Sequence, residues 1–395
     1  MIVSIIHAID LILWFLCAFS VVYVAFFAIA GFILRQKKHK EKKVVQEQQN
    51  SFLVLYPAYK ADEVICHSAE RFIKQNYPRD KYKLCVIADE MKPETIERLK
   101  ELADQVIVPN FEGLSSKAKS LKLAMKEVDG TFDRVVILDV DNVVREDFLQ
   151  QLNTVCNQGY EAVQCHRCAK NSENDIAMLD GASEEINNHI FRRSHNLVGL
   201  SSALIGSGMC FPFNWFKKNV QSLSTAGEDR ELEELLLSQK IHIHFAENIP
   251  VFDEKVSSAD NFERQRLRWM TAQVQSLMRM TRHLPTAFAQ GNIDYIDKTL
   301  QQALIPRSML LVILPVLGLF LTFVLGMWGI KWLVLFLLFC VSLAISLPTQ
   351  MFSRGTFASL MKLPQLVWRM IKNILHINHK NTDFIHTEHN GESNG

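Results

Sequence analysis

Between Leu11 and Leu34 the chain reads LILWFLCAFSVVYVAFFAIAGFIL, without one charged residue. A helix of that length, rising about 1.5 Å per residue, crosses a hydrocarbon core roughly 30 Å thick. In lipid every backbone polar group must be satisfied within the segment, so this stretch can only be helical. The basic residues follow the run instead of preceding it, and no small-residue cleavage site is evident, so it reads as an uncleaved anchor rather than a signal peptide.

Two further apolar segments, Met309 to Trp328 and Trp332 to about Leu347 or Phe352, leave only Gly329-Ile330-Lys331 between them. They are expected to form a tight transmembrane hairpin. A buried hairpin in a soluble core is the alternative, which charge-free runs of this length disfavour. RQKKHKEKK (Arg35 to Lys43) follows the first span, and Arg354, Lys362, Arg369, Lys372 and Lys380 follow the last. The positive-inside rule then puts the N-terminus outside and the middle of the chain and its C-terminus in the cytoplasm. The expected organisation is an anchor over 1–34, a basic linker over 35–50 and a catalytic domain with an interfacial helix over 51–285. An interfacial connection over 286–308 leads to the hairpin over 309–352, then to an interfacial segment and disordered tail over 353–395. The eight scattered cysteines suit a reducing compartment. With no organelle signal, the three-span form points to a bacterial inner membrane.

Within the central region short apolar runs alternate with helical patterns. SFLVLYPAY (Ser51 to Tyr59) is stopped by a proline and YKLCVIADE (Tyr82 to Glu90) by acids; QVIVPN and DRVVILDVD (Asp133 to Asp141) follow. Asp62 to Gln75 and Pro93 to Leu102 read as helices between them. The alternation predicts an α/β domain with a mainly parallel sheet covered on both faces. Ligands of such sheets bind beyond the carboxyl ends of the strands, where this chain keeps Tyr56, Pro57, Tyr59, Asp89, Glu90, Asp139 and Asp141.

ILDVDN sets two carboxylates at i and i+2 at a strand end, a pattern that suits a hard divalent cation holding phosphate oxygens, with a turn or helix cap as the plain alternative. STAGEDRELEELLL (Ser224 to Leu237) puts Glu228 and Asp229 at a helix entrance, as a general base or as a simple N-cap. RQRLRWM (Arg264 to Met270) places Gln265, Arg268 and Trp269 on one helical face: an amide, a guanidinium that grips phosphate and an indole that offers a flat surface to a sugar. A membrane-surface helix would use the same residues. Other clusters read as structural. CHRC (Cys165 to Cys168) lacks a second Cys pair for a metal, IHIHF (Ile241 to Phe245) puts His242 and His244 on one face with no further ligand near, and SEEINNHIFRRSHN (Ser183 to Asn196) reads as a helix bordering the acceptor cleft, with Arg192 and Arg193 solvated or else facing lipid headgroups, solvation being favoured.

In this order between membrane anchors, the motifs resemble the membrane-bound family-two glycosyltransferases, which include cellulose, hyaluronan and poly-N-acetylglucosamine synthases and ceramide glucosyltransferase. The resemblance covers roughly Phe52 to Gln273. YPAYKADEV is similar to the family's first-strand motif, with Lys60 in the usual Asn place, and VIADE resembles the strand end that contacts uridine. SSKAKSLKLAM resembles a stretch with a phosphate-near lysine, though without the Gly and Asn common after it. DVD resembles the metal motif, GEDREL the base motif, QRLRW fits Gln-x-x-Arg-Trp, and IGSGMCFP (Ile205 to Pro212) resembles a segment lining the acceptor pocket.

The resemblance implies a GT-A nucleotide-sugar-binding domain, a Rossmann-like mixed sheet, and an inverting displacement. Pro57, Tyr59, Asp89, Lys117, Asp139, Gln265 and Arg268 would bind the donor, and Asp139 and Asp141 would hold Mg²⁺ or Mn²⁺. Asp229 would be the base, and Gly206, Ser207, Gly208, Glu228 and Trp269 would meet the acceptor. The implied partners are a nucleotide sugar, with UDP expected, a growing polysaccharide or else a lipid acceptor, membrane lipids, and accessory subunits or a homo-oligomer. A non-catalytic scaffold is disfavoured by the complete carboxylate set. A basic nucleic-acid binder is excluded by charge, with 43 Lys and Arg against 42 acids.

Overall fold

The computed structural model describes residues 2–35, 48–171, 175–225, 227–256 and 259–351. The basic run after Arg35, the residues from Phe352 onward and hence the expected tail lie outside the described residues.

Eight strands form one sheet: β1 (Phe52–Tyr59), β2 (Tyr82–Asp89), β3 (Gln105–Ile107), β4 (Arg134–Ile137), β5 (Val143–Val144), β6 (Ala162–Ala169), β7 (Met209–Pro212) and β8 (Ile243–Asp253). Their order is β3-β2-β1-β4-β7-β6-β8-β5. The β3-β2-β1-β4 half is parallel, as the alternation predicts. β7 reverses direction against both β4 and β6, and β5 against β8, so the whole is a mixed sheet. Pro57 does not stop β1, which stays paired with β2 as far as Tyr59↔Asp89. β4 pairs only with Phe52 to Leu55, so Pro57 lies where the ladder is one-sided and a missing N–H is tolerated.

The period of two along β1 builds two cores. Phe52, Val54 and Tyr56 pack with α2 (Ile65–Phe72), α3 (Pro93–Leu102) and α5 (Phe148–Asn157). Leu53 and Leu55 face α4 (Lys117–Glu127), α8 (Phe213–Asn219) and α9 (Glu228–Ser238) on the other side. A third core is made by α1 (Ile2–Leu34), α12 (Arg307–Leu325) and α13 (Ile330–Ser346), where Val21, Val24, Phe27, Leu310, Leu314, Trp332 and Phe339 interlock. These three helices are long and apolar enough to cross a membrane. Their outer faces leave Phe15, Phe32, Phe320, Phe323 and Leu337 exposed, which in water would be an unusually large apolar surface.

The turn between α12 and α13 falls at Gly326–Gly329, earlier than the expected Gly329-Ile330-Lys331. Gly326 takes φ +61, and a Cβ on Gly329 would come within 2.2 Å of Thr322 N, so only glycine allows this close return. Trp328 and Lys331 then have another task. Asp10, buried in α1, accepts from Trp328 Nε1 at 2.7 Å and Trp332 Nε1 at 2.8 Å and pairs with Lys331, tying the start of α1 to the hairpin turn.

The third core reaches the sheet through α6 (Asp175–Asn187), which runs on as a π-helical segment, Asn188–Arg193, into α7 (Ser194–Leu197). Ile186 and Ile190 join the core of the spans. Two long-range helices complete the frame: α10 (Ala259–Ala289), which carries RQRLRWM, and α11 (Ile293–Gln302).

Candidate functional site

A cavity of about 1280 Å³ opens between the carboxyl ends of the strands, α10 and the apolar helices α1, α12 and α13. One end is polar and holds Asp139, Asp141, Lys117, Glu228 and Asp229; the other is walled by Leu311 of α12 and by Leu343, Ala344 and Leu347 of and after α13.

The polar end is built from strand ends and helix starts. After β4 the chain turns, with Asn142 N bonded to the Asp139 carbonyl at 3.0 Å, and both carboxylates line the cavity. Asp139 meets Lys117 Nζ at 2.5 Å, while Asp141 accepts from Asn142 Nδ2 and from Glu254 N at 3.0 Å. Lys117 begins α4 and reaches across to the Gly206 carbonyl at 2.7 Å and to Glu228 at 3.4 Å. Burial by itself would lower the ammonium, but Asp139 and Glu228 more than reverse this and leave its pKa raised. Burial pushes Glu228 up to about 7, with Lys117 opposing and Asp229 adding to the rise.

Glu228 and Asp229 open α9, behind Gly227. No side chain at Gly227 caps the helix; Glu231 reaches back to the turn before it, accepting from Thr225 N at 2.6 Å and Ser224 N at 2.9 Å. Asp229 Oδ1 accepts from Arg230 N at 2.8 Å and Glu228 pairs with Lys117, and both acids line the cavity. Gly206 faces them with φ +83, its would-be Cβ 3.7 Å from both Lys117 Nζ and Glu228 Oε1 and 3.8 Å from Asp229 Oδ2.

On α10, Gln265, Arg268 and Trp269 all line the cavity. Arg268 has no ion-pair partner among the described residues. Among the described residues the buried Gln265 Oε1 atom has no hydrogen-bond donor, a deficit that a ligand hydroxyl would fill. Arg266 has a different job: it pairs with Asp180 at 2.7 Å and lies 4.7 Å from the Trp269 ring centre and 4.8 Å from that of Phe262.

The family model for glycosyltransferase like family 2 matches residues 49–272. The chain belongs to this family. Among solved structures the glycosyltransferase is similar to the mannosyltransferase PcManGT from Pyrobaculum calidifontis in complex with GDP-Man and Mn²⁺. That likeness has 16% identity and a TM-score of 0.51, covering 84% of this chain and 98% of that one. It is also similar to glucosyl-3-phosphoglycerate synthase from Mycobacterium tuberculosis, at 13% identity and a TM-score of 0.41, covering 57% of this chain and 80% of that one. No curated protein sequence matches it. The fold of the glycosyltransferase is the GT-A fold.

Several expected residues stand elsewhere. Of the acceptor-segment trio only Gly206 lines the cavity. Ser207 is fully buried and donates to Asn142, and a Cβ on Gly208 would press on Val251 at 3.1 Å and Cys165 at 3.2 Å, so these two serve packing between strands. Asp89 ends β2 behind Ser115, which donates to it, and it is Ser115, with Pro57 and Tyr59, that reaches the wall. Arg192 is not solvated: it is buried against Glu184 at 2.8 Å. His242 and His244 do not act together; one turns to Ser201 and Asp294, and the other stacks on Tyr160 at 3.7 Å.

A buried charge network in the cavity wall was not anticipated. Glu184 of α6 accepts from Arg167 at 2.7 Å and lies 3.8 Å from Lys255, which pairs with Asp253 at 2.7 Å. Burial would raise Glu184, but Arg167, Arg192 and Lys255 together hold it well below the usual carboxylate range. Burial pushes Asp253 up to about 6 against the pull of Lys255 and Arg167. Asp253 ends β8 in the stretch FDEK, the same apolar-run-then-acid signal that marks Asp89 and Asp139.

Proposed function

We propose that the protein is an inverting, metal-assisted glycosyltransferase that moves a sugar from a nucleotide diphosphate, UDP by expectation, to a hydroxyl of an acceptor brought in from the membrane. The observation that carries this reading is the single cavity joining the acidic strand ends to the walls of three apolar helices.

Asp139 and Asp141 present carboxylate oxygens, the donor type that Mg²⁺ or Mn²⁺ prefers, so the chain fits the cation it would need. Such an ion, when bound, neutralises the diphosphate as it leaves. The protein's own groups do the rest. Arg268, without an ion-pair partner among the described residues, takes the diphosphate in a two-pronged grip, and Lys117 adds positive charge beside it. Pro57, Tyr59 and Ser115 border the donor end, with Asp89 holding Ser115. Asp229 Oδ2, across from Gly206, removes the proton of the acceptor hydroxyl as that oxygen attacks the anomeric carbon from the face opposite the leaving nucleotide. Gln265 Oε1 accepts from a ligand hydroxyl, and Trp269 borders the acceptor.

A lipid-borne acceptor suits the far wall better than a polar polymer. Leu311, Leu343 and Leu347 offer apolar surface there. Arg307, at the start of α12, donates to Asn187 at 2.6 Å and to Ser183, with no carboxylate partner among the described residues, and so offers charge to an acidic headgroup. The predicted topology, with the catalytic domain in the cytoplasm, keeps the donor end in reach of soluble nucleotide sugars. The test is nucleotide release by the detergent- or nanodisc-held protein with Mg²⁺ or Mn²⁺, a panel of UDP- and GDP-sugars and added membrane lipids. One donor should be consumed and a lipid adduct formed. Asp229→Asn should lose turnover by a factor of roughly 10² to 10⁴ with donor binding kept. A long carbohydrate product would replace the lipid reading with polymer synthesis, and full turnover by Asp229→Asn would remove that residue as base.

A further inference from the structure

The Cys165–Cys168 stretch is not used by the transfer reaction, and its two thiols do not meet. Cys165 is buried in the core of the sheet, whereas Cys168 stands with His166, two residues before it on β6. Glu185 of α6 closes the group: His166 Nε2, Cys168 Sγ and a Glu185 carboxylate oxygen all lie within 4.8 Å of one another.

We propose that His166, Cys168 and Glu185 form a second metal site, for a borderline-soft divalent ion of the Zn²⁺ type, that clamps α6 to β6. The donor set is one imidazole nitrogen, one thiolate and one carboxylate, all common zinc ligands. Ordinary zinc bond lengths set the ligand-to-ligand edge of a tetrahedron at about 3.4 Å for nitrogen and oxygen. His166 Nε2 is 3.2 Å from both oxygens of Glu185, so closing around an ion needs only a small adjustment.

The imidazole is held as a ligating histidine is held. Its Nδ1 lies 3.0 Å from the Glu247 carbonyl, a bond in which the ring must donate, and this turns Nε2 toward Glu185 and Cys168. Phe245 packs edge-on against the ring at 5.6 Å and fixes its plane. The site differs in kind from Asp139 and Asp141: the thiolate and imidazole favour Zn²⁺ over Mg²⁺ or Mn²⁺.

Its position gives it a consequence. Glu185 neighbours Glu184, which anchors the buried charge network, and Ser183 and Asn187, which hold Arg307. An ion at Glu185 therefore steadies the turns of α6 that line the acceptor side of the cavity.

Co²⁺ serves as the probe, because thiolate ligation gives it a near-ultraviolet charge-transfer band. The full chain, stripped with chelator, is titrated with Co²⁺ and then with Zn²⁺, and thermal unfolding is followed with and without Zn²⁺. Expected are a thiolate band displaced by one equivalent of Zn²⁺ but not by Mg²⁺, and a Zn²⁺-dependent rise in Tm. Cys168→Ser should abolish the band, and His166→Gln should weaken Co²⁺ binding at least tenfold, while Asp141→Asn should leave both readings intact. No thiolate band in the unsubstituted protein, or an unchanged band in Cys168→Ser, overturns the proposal. Should Cys168→Ser fail to fold, unweakened binding by His166→Gln overturns it equally.

Discussion

Lys117→Met removes a cation that touches both Asp139 and Glu228. Taking away one partner of a buried ion pair costs about 3 kcal/mol, because the remaining charge stays in a poor solvent. Asp139 is one-third exposed, so water replaces part of what it loses, and the cost concentrates on Glu228, whose side chain is 10% exposed. The sign of the pH dependence follows from Glu228. Its folded pKa is raised from 4.5 to about 7, so its carboxyl favours the folded state fully below pH 4.5 and loses that advantage as the pH climbs through 7. Lys117 is the influence that lowers Glu228, so without it the folded value rises further and the loss extends into the alkaline range. Thermal unfolding in detergent without divalent metal should show Lys117→Met lower in Tm by roughly 4 °C at pH 8.5. At pH 5.5, with Glu228 protonated in both proteins, the deficit should shrink to roughly a third of that. Adding Glu228→Gln should recover more than half of the alkaline loss. A deficit equal at both pH values, or no recovery in the double variant, would refute the reasoning.

Arg268→Lys keeps the charge but loses the planar fork, so nucleotide-sugar affinity should fall by roughly tenfold in an equilibrium binding assay while Tm is unchanged. Gly206→Ala forces an alanine to φ +83, a strain of roughly 1–2 kcal/mol, and sets a methyl 3.7 Å from Lys117 Nζ and Glu228 Oε1; a lower Tm together with reduced turnover is expected. Asp10→Asn strips the charge that Lys331 meets at the hairpin turn and should cost about 3 kcal/mol, read as faster loss of the folded form on heating in detergent, with the donor affinity of the surviving protein intact.

The parts of this protein that follow from local pattern were legible. The apolar runs that become α1, α12 and α13 carry their own reason for being helical, and the alternation of short runs with helical stretches leads to a sheet whose first half is parallel. Gln265, Arg268 and Trp269 could be placed together because a helix sets residues three and four apart on one face, whatever surrounds it. Strand-end acids were found for the same reason, and FDEK was open to the same reading.

Other features were not local. Arg192 reads as solvated until α6 and β6 are brought together and Glu184 is seen to accept from it and from Arg167. Ser207 and Gly208 sit one and two residues beyond a cavity-lining glycine, yet β7 runs antiparallel between β4 and β6 and turns both into the sheet. His166, Cys168 and Glu185 meet only because α6 packs on β6, and Asp10 finds Lys331 across 321 positions of chain. Sequence by itself determined which segments must be helix or strand and which helices are apolar enough to cross a membrane, since hydrogen bonding and burial act over a turn or two of backbone. Tertiary structure decided which charges are paired and which are left for a ligand, because that depends on groups that only the packed chain brings within a few ångströms.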